Sequence, residues 1–212
     1  KVGALLRIIW QFSSHYETKK IEVLHNISFS VKKGEVLGII GRNGSGKSTL
    51  LRVIAEIYKI DKGIIETKGE LVYLTGFSHG LQRKLTMREN IYLIGLLYGL
   101  PKKELNNKFN EIVDFSGLKD FLDVKVYQFS DGMINRLSFS ITIHCITHKN
   151  PEILLIDEVF GSGADLSFQK KAFETMTELI KKGTSVILVS HDLHLIDIFC
   201  KRVIVLEKGE II

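Results

Sequence analysis

The chain has 212 residues, 45% of them apolar, with two cysteines and a formal net charge of +5. That apolar content suffices for one large domain or for a core with a subdomain. The charges are scattered, which reads as a solvated surface rather than a concentrated basic face. Cys145 and Cys200 sit in apolar surroundings without metal-ligand spacing, so no disulfide framework is implied and a reducing compartment fits.

The N-terminal stretch "KVGALLRIIWQF" is apolar and short and lacks a small-residue cleavage site, so it does not read as a secretory signal. Lys1 in place of Met points to a start that has been trimmed. Leu5, Ile8, Ile9 and Phe12 share a helical face, and Trp10 suits a membrane interface, with core packing an equal reading. "EVLGIIG" (Glu35 to Gly41) is a continuous apolar run, predicted to be a strand buried on both faces. "KSTLLRVIAEIY" is predicted to follow as a helix, and glycine-punctuated β pieces are expected from Gly63 to Leu74.

The middle third changes period. Thr86 and Glu89 form the T-x-x-E capping box of a helix running through Leu100. Pro101 starts a second helix, with Leu105, Phe109, Ile112 and Val113 on one face and Gly117 at its end. A third opens at "QFSDGM", with Met133, Leu137 and Ile141 at helical spacing. "IYLIGLLYGL" is uncharged but far short of the ~20 apolar residues that span a bilayer. The last third alternates again. "EILLID", "TSVILVS" and "RVIVLE" read as strands, "DLSFQKKAFETMTELIKK" as a helix stopped by Gly183, and "DLHLIDIFC" as a short helix. The expected fold is therefore α/β: a phosphate-loop core with a mostly parallel sheet and an antiparallel β piece near the N-terminus. Residues 1–77 and 151–212 would form that core, with residues 78–150 as a helical insert, all within a single domain spanning 1–212.

Four motifs carry chemistry. "GRNGSGKST" fits G-x-x-x-x-G-K-[ST] between a strand and a helix, the context that gives the motif its meaning. Gly41, Asn43, Gly44, Ser45 and Gly46 form a loop whose backbone N–H groups can wrap phosphate oxygens. Lys47 brings a charge to the β- and γ-phosphates, Ser48 offers a hydroxyl to Mg²⁺, and Thr49 adds a second hydroxyl. "ILLIDE" ends in Asp157 and Glu158 at a strand's C-terminal edge, where open α/β sheets bind ligands. Asp157 suits the Mg²⁺ shell, and Glu158 is placed to orient and polarise an attacking water. "VILVSHD" delivers His191 to the same edge, within reach of the γ-phosphate side. Ser130 and Gly132 stand at a helix N-terminus, which caps itself or binds an anion. Tyr16, ahead of the phosphate loop, either stacks on an adenine ring or packs as an ordinary tyrosine.

These motifs, in this order, resemble the ATP-binding domain of an ABC transporter over nearly the whole chain from Ile21 onward. The "FSDGM" turn (Phe129 to Met133) stands where that family has its LSGGQ signature; Asp131 replaces a glycine and Met133 a glutamine. The family's Q-loop glutamine is absent after "LVYL", where Thr75 and Gly76 stand, with Gln82 following later. Its D-loop aspartate corresponds to Asp165, one residue beyond the usual spacing from the catalytic glutamate. "LTMRENIYLIGLLYGLPKKEL", "FSDGMINRLSFS" and "DEVFGSGADLSFQKK" are similar to the branch that exports O-antigen, capsule or teichoic acid chains.

The resemblance implies an ATP hydrolase using ATP and Mg²⁺. Glu158 and His191 would be its catalytic residues. The phosphate loop, Tyr16, Ser130, Gly132 and Asp165 would contact nucleotide, and Ser48 and Asp157 the metal. It also implies a head-to-tail dimer with a second copy, an integral membrane permease as partner, no nucleic acid, and a peripheral place on the cytoplasmic face of the plasma membrane. Two alternatives stand beside it. One is a soluble ABC-type ATPase acting on ribosomes or nucleic acid, which would call for paired cassettes, long heptads or a dense basic face. The other is an importer ATPase for another substrate.

Overall fold

The structure, a computed structural model, describes residues 21–75, 80–157 and 166–212. Its centre is a six-stranded sheet built on the apolar runs. In chain order these are β1 (Val36–Ile40), β2 (Leu71–Thr75), β3 (Ile153–Asp157), β4 (Ser185–Val189), β5 (Arg202–Glu207) and β6 (Glu210–Ile211). The spatial order is β2-β3-β4-β1-β5-β6, parallel throughout except for β5 with β6. Among the described residues the antiparallel pair thus lies at the C-terminal end. Lys208 and Gly209 join its strands with φ of 47° and 84°, the doubly positive pattern of a tight hairpin turn.

Strand alternation splits the core into two layers. Leu154, Ile156, Val186 and Leu188 face one way, onto Phe168, Ala172 and Met176 of the helix Leu166–Lys181. Leu155, Ile187, Val189 and Ile39 face the other way, onto Leu50 and Leu51 of α1 (Lys47–Ile54). This is why β1, β3 and β4 read as unbroken apolar runs: both of their faces are covered.

The predicted first helix stops at Ile54, short of "AEIY". Glu56 adopts φ 57°, and Ile57 and Tyr58 lie exposed beyond it. Of the β pieces expected from Gly63 to Leu74, only Leu71–Thr75 is a strand, and it joins the main sheet in parallel with β3.

Three helices build a separate apolar cluster: α2 (Met87–Leu97), α3 (Lys102–Ser116) and α4 (Asp131–Lys149). The capping box forms as expected. The Thr86 hydroxyl accepts from the Glu89 N–H at 3.2 Å, and the Thr86 N–H donates to Glu89 Oε2 at 2.8 Å. Gly117 ends α3 in the left-handed conformation at φ 65°. Helix α4 is buried on two sides. Ile134, Leu137, Ile141 and Cys145 enter the helical cluster, while Phe139, Ile143 and Ile146 enter the sheet layer. The chain continues through α5 (Leu166–Lys181) and α6 (Leu193–Phe199).

Asn90, fully buried on α2, ties down the turn that enters the helical cluster. Its Oδ1 accepts from the Gln82 N–H at 2.7 Å, and its Nδ2 donates to the Gln82 and Thr86 carbonyls at 3.1 and 2.8 Å. Asn90→Ala leaves these backbone groups without their side-chain partner, at a cost of about 2 kcal/mol. At this chain length that lowers Tm by about 4–8 °C, read by thermal denaturation. An unchanged Tm would show that water replaces the amide at no cost.

Candidate functional site

The loop between β1 and α1 is shaped by its glycines. A Cβ on Gly41 would lie 2.1 Å from the Leu206 carbonyl oxygen, so no larger residue fits there without a backbone shift. Gly46 caps α1 at φ 105° and offers no side chain to the first turn, leaving its N–H groups for a ligand. The β5–β6 turn braces the loop from outside: the Gly209 N–H donates to the Ser45 carbonyl at 3.0 Å.

Lys47 is only 5% exposed and curls back over this loop. Its ammonium donates to the carbonyls of Gly41 at 2.8 Å and Arg42 at 3.0 Å. The loop is therefore wrapped around its own cation. The buried Ser45 Oγ has no hydrogen-bond partner among the described residues. An orphaned hydroxyl, free helix N–H groups and a buried ammonium together fit a phosphate chain. Asn43 and Gly44 are exposed at the rim, and Ser48 and Thr49 are half-buried on the first turn of α1.

Asp157 ends β3 at 7% exposure. Both of its oxygens are engaged: the Ser48 hydroxyl donates to Oδ1 at 3.2 Å and the Tyr73 hydroxyl to Oδ2 at 3.1 Å. Burial first, then the charge of Asp157 and the hydrogen bond to it, push the Tyr73 phenol up to about 12, so it remains a donor. Ser48 and Asp157 form a hard oxygen set of the kind that holds Mg²⁺ together with substrate phosphates.

Register brings the remaining groups to the same edge. Thr75 on β2, Asp157 on β3, Val189 on β4 and Ile39 on β1 lie on one line across the sheet. The chain leaves each of these strands on the side where the phosphate loop sits. His191, two residues past Val189, emerges there exposed. Its turn is fixed on both sides: the Asp192 N–H donates to Ser190 Oγ at 3.0 Å, and Asp192 Oδ1 accepts from the His194 N–H at 2.9 Å. Tyr16, Glu158 and Asp165 lie outside the described residues.

The ABC transporter family profile matches residues 24–161, from ahead of the phosphate loop to beyond Glu158. The chain belongs to the ABC transporter family. It is 40% identical over 190 residues to the O-antigen export system ATP-binding protein RfbB of Klebsiella pneumoniae, covering 90% of this chain and 75% of that protein. It is also 40% identical over 199 residues to the teichoic acids export ATP-binding protein TagH of Lactococcus lactis subsp. lactis (strain IL1403), covering 94% of this chain but 41% of that longer protein. Among solved structures, the ATP-binding subunit of an ABC transporter superposes with a TM-score of 0.76 at 25% identity, covering 92% of this chain and 84% of that one. A dimeric ATP-binding cassette bound to ADP and Pi superposes with a TM-score of 0.73 at 24% identity, covering 93% and 92%. The α/β architecture is that of the ABC ATPase domain.

Within this ABC fold the serine turn stands apart from the sheet edge. Ser130 caps α4, its exposed hydroxyl accepting from the Met133 N–H at 3.3 Å. Phe129 and Ile134 on either side are buried in the helical cluster. Asp131 is exposed in the first turn, and Gly132 is half-buried beside it. Gln82 is exposed on the Asn90-held turn, while Thr75 occupies the place beside Asp157. Sequence reasoning missed Tyr73 and Asn90. Both belong to recognisable stretches, "LVYLT" and "LTMREN", but their roles depend on partners 84 and 8 residues away.

Proposed function

We propose that this chain is the ATP-binding and ATP-hydrolysing subunit of an exporter that moves a polysaccharide or lipid-linked glycan across the cytoplasmic membrane. The observation that carries the ATPase reading is the Ser48–Asp157 hydrogen bond beside the lysine-wrapped loop. The glycan reading is supported by 40% identity to an O-antigen exporter subunit over 90% of the chain.

In this reading Gly41 to Thr49 hold the phosphates of ATP, and the Lys47 ammonium exchanges loop carbonyls for phosphate oxygens. Ser48 and Asp157 would hold Mg²⁺, which would supply charge neutralisation to the phosphates. Glu158 orients water and takes its proton as the oxygen attacks the γ-phosphorus, so ADP leaves and phosphate remains. His191 faces the γ-phosphate side, Tyr16 the adenine, and Asp165 the nucleotide across the dimer. Residues 78–150 act as a helical subdomain against the core formed by 1–77 and 151–212. No helix among the described residues is long and apolar enough to cross a membrane; an integral permease supplies the passage, and the chain works at the cytoplasmic face of that membrane.

The exposed α4 N-terminus fits a second copy. Two chains packed head to tail would place Ser130 and the Gly132 N–H of one on the γ-phosphate held by the other. Ser130→Arg is then expected to leave ATP binding by a single subunit within about twofold of wild type. It should also abolish ATP-dependent dimers of a Glu158→Gln chain, measured by light scattering. Mixed with Lys47→Ala, it yields dimers with one intact site and one doubly defective site, so partial activity should return. Dimers formed at wild-type levels by the Ser130→Arg chain would refute the trans arrangement.

A further inference from the structure

The Tyr73–Asp157 contact lies outside the roles assigned above. Ser48 reaches Asp157 Oδ1 directly. The Tyr73 hydroxyl on β2 donates to the other oxygen, Asp157 Oδ2, at 3.1 Å. The phenol O–H thus points at a carboxylate oxygen, which fixes the direction of its proton.

We propose that Tyr73 is a positioning residue for the metal site: it holds one oxygen of Asp157 so that the other faces Ser48. The carboxylate is then held at both oxygens, by the phosphate-loop helix through Ser48 and by β2 through Tyr73. Without the phenol, the carboxylate is free to turn about its Cβ–Cγ bond, and the Oδ1–Ser48 pair loses its fixed direction. Groups that orient a ligating carboxylate in this way govern metal affinity nearly as strongly as the ligands do. The proposal rests on the reading of Asp157 as a metal ligand.

The test titrates Mn²⁺, followed by the electron paramagnetic resonance of the free ion. The protein is ATP-loaded and carries Glu158→Gln to suppress turnover, with ATP kept below the protein concentration. Tyr73→Phe keeps the ring and is expected to weaken Mn²⁺ binding by about tenfold while metal-free ATP affinity stays within about twofold. Asp157→Asn is the reference. If it weakens Mn²⁺ binding and Tyr73→Phe does not, the phenol is only core packing and the proposal is overturned. If Asp157→Asn leaves Mn²⁺ affinity unchanged, the metal reading itself fails and the proposal falls with it. A lowered Tm for Tyr73→Phe at unchanged Mn²⁺ affinity likewise assigns it to packing.

Discussion

Lys47→Ala weakens ATP binding by at least about a hundredfold. Lys47 is 5% exposed, and its ammonium has two carbonyl partners on its own loop, at 2.8 and 3.0 Å. Its charge is therefore already desolvated and held where phosphate oxygens enter, so little reorganisation opposes the exchange of partners. Hydrogen bonds to charged groups contribute about 1.5–3 kcal/mol each. Two such contacts to phosphate amount to roughly 3–6 kcal/mol, or a factor of about 10² to 10⁴ in Kd. Removing the side chain also releases the Gly41 and Arg42 carbonyls, which loosens the loop. Equilibrium binding of a labelled ATP, with circular dichroism to confirm folding, measures the effect. A Kd within about twofold of wild type would dismiss the phosphate-loop assignment.

Glu158→Gln keeps ATP bound and lowers hydrolysis by about 10² to 10⁴. The amide can still hold a water by hydrogen bonding, but it cannot take the proton that the attacking oxygen must lose. The structure narrows the choice of base. Asp157, the neighbouring carboxylate, already accepts from Ser48 and Tyr73 through its two oxygens. Its geometry suits the metal side, which leaves the adjacent carboxylate for the water. Steady-state phosphate release compared with ATP affinity separates the two effects. Hydrolysis at the wild-type rate would move the base elsewhere, with His191 the next group at that edge.

Much of this was legible because the strands are buried on both faces. "VLGII", "ILLID" and "SVILV" are uninterrupted apolar runs, and each became a strand over those residues. The capping box at Thr86 and the serine cap at Ser130 were equally legible, since a cap is a local pattern of three or four residues. The end of α1 was not. Ile57 and Tyr58 continue the helical period, but no core lies beneath them, and the chain turns at Glu56. β2 was obscured by the glycines at 63 and 69, and its parallel pairing depends on β3, which follows some eighty residues later. Within the site, Lys47, Ser48 and Asp157 were readable as motif residues. Tyr73 was not, because a tyrosine in a strand acquires a role only once register sets it opposite a carboxylate.

If hydrolysis at this site drives a glycan outward, surface glycan in the native host reports it. The chromosomal copy is replaced by the Glu158→Gln form. The polymer is then quantified on whole cells and again after permeabilisation. Polymer is expected to disappear from the surface and accumulate inside, because synthesis continues while export stops. Surface polymer at wild-type levels in cells that carry only the variant would contradict it.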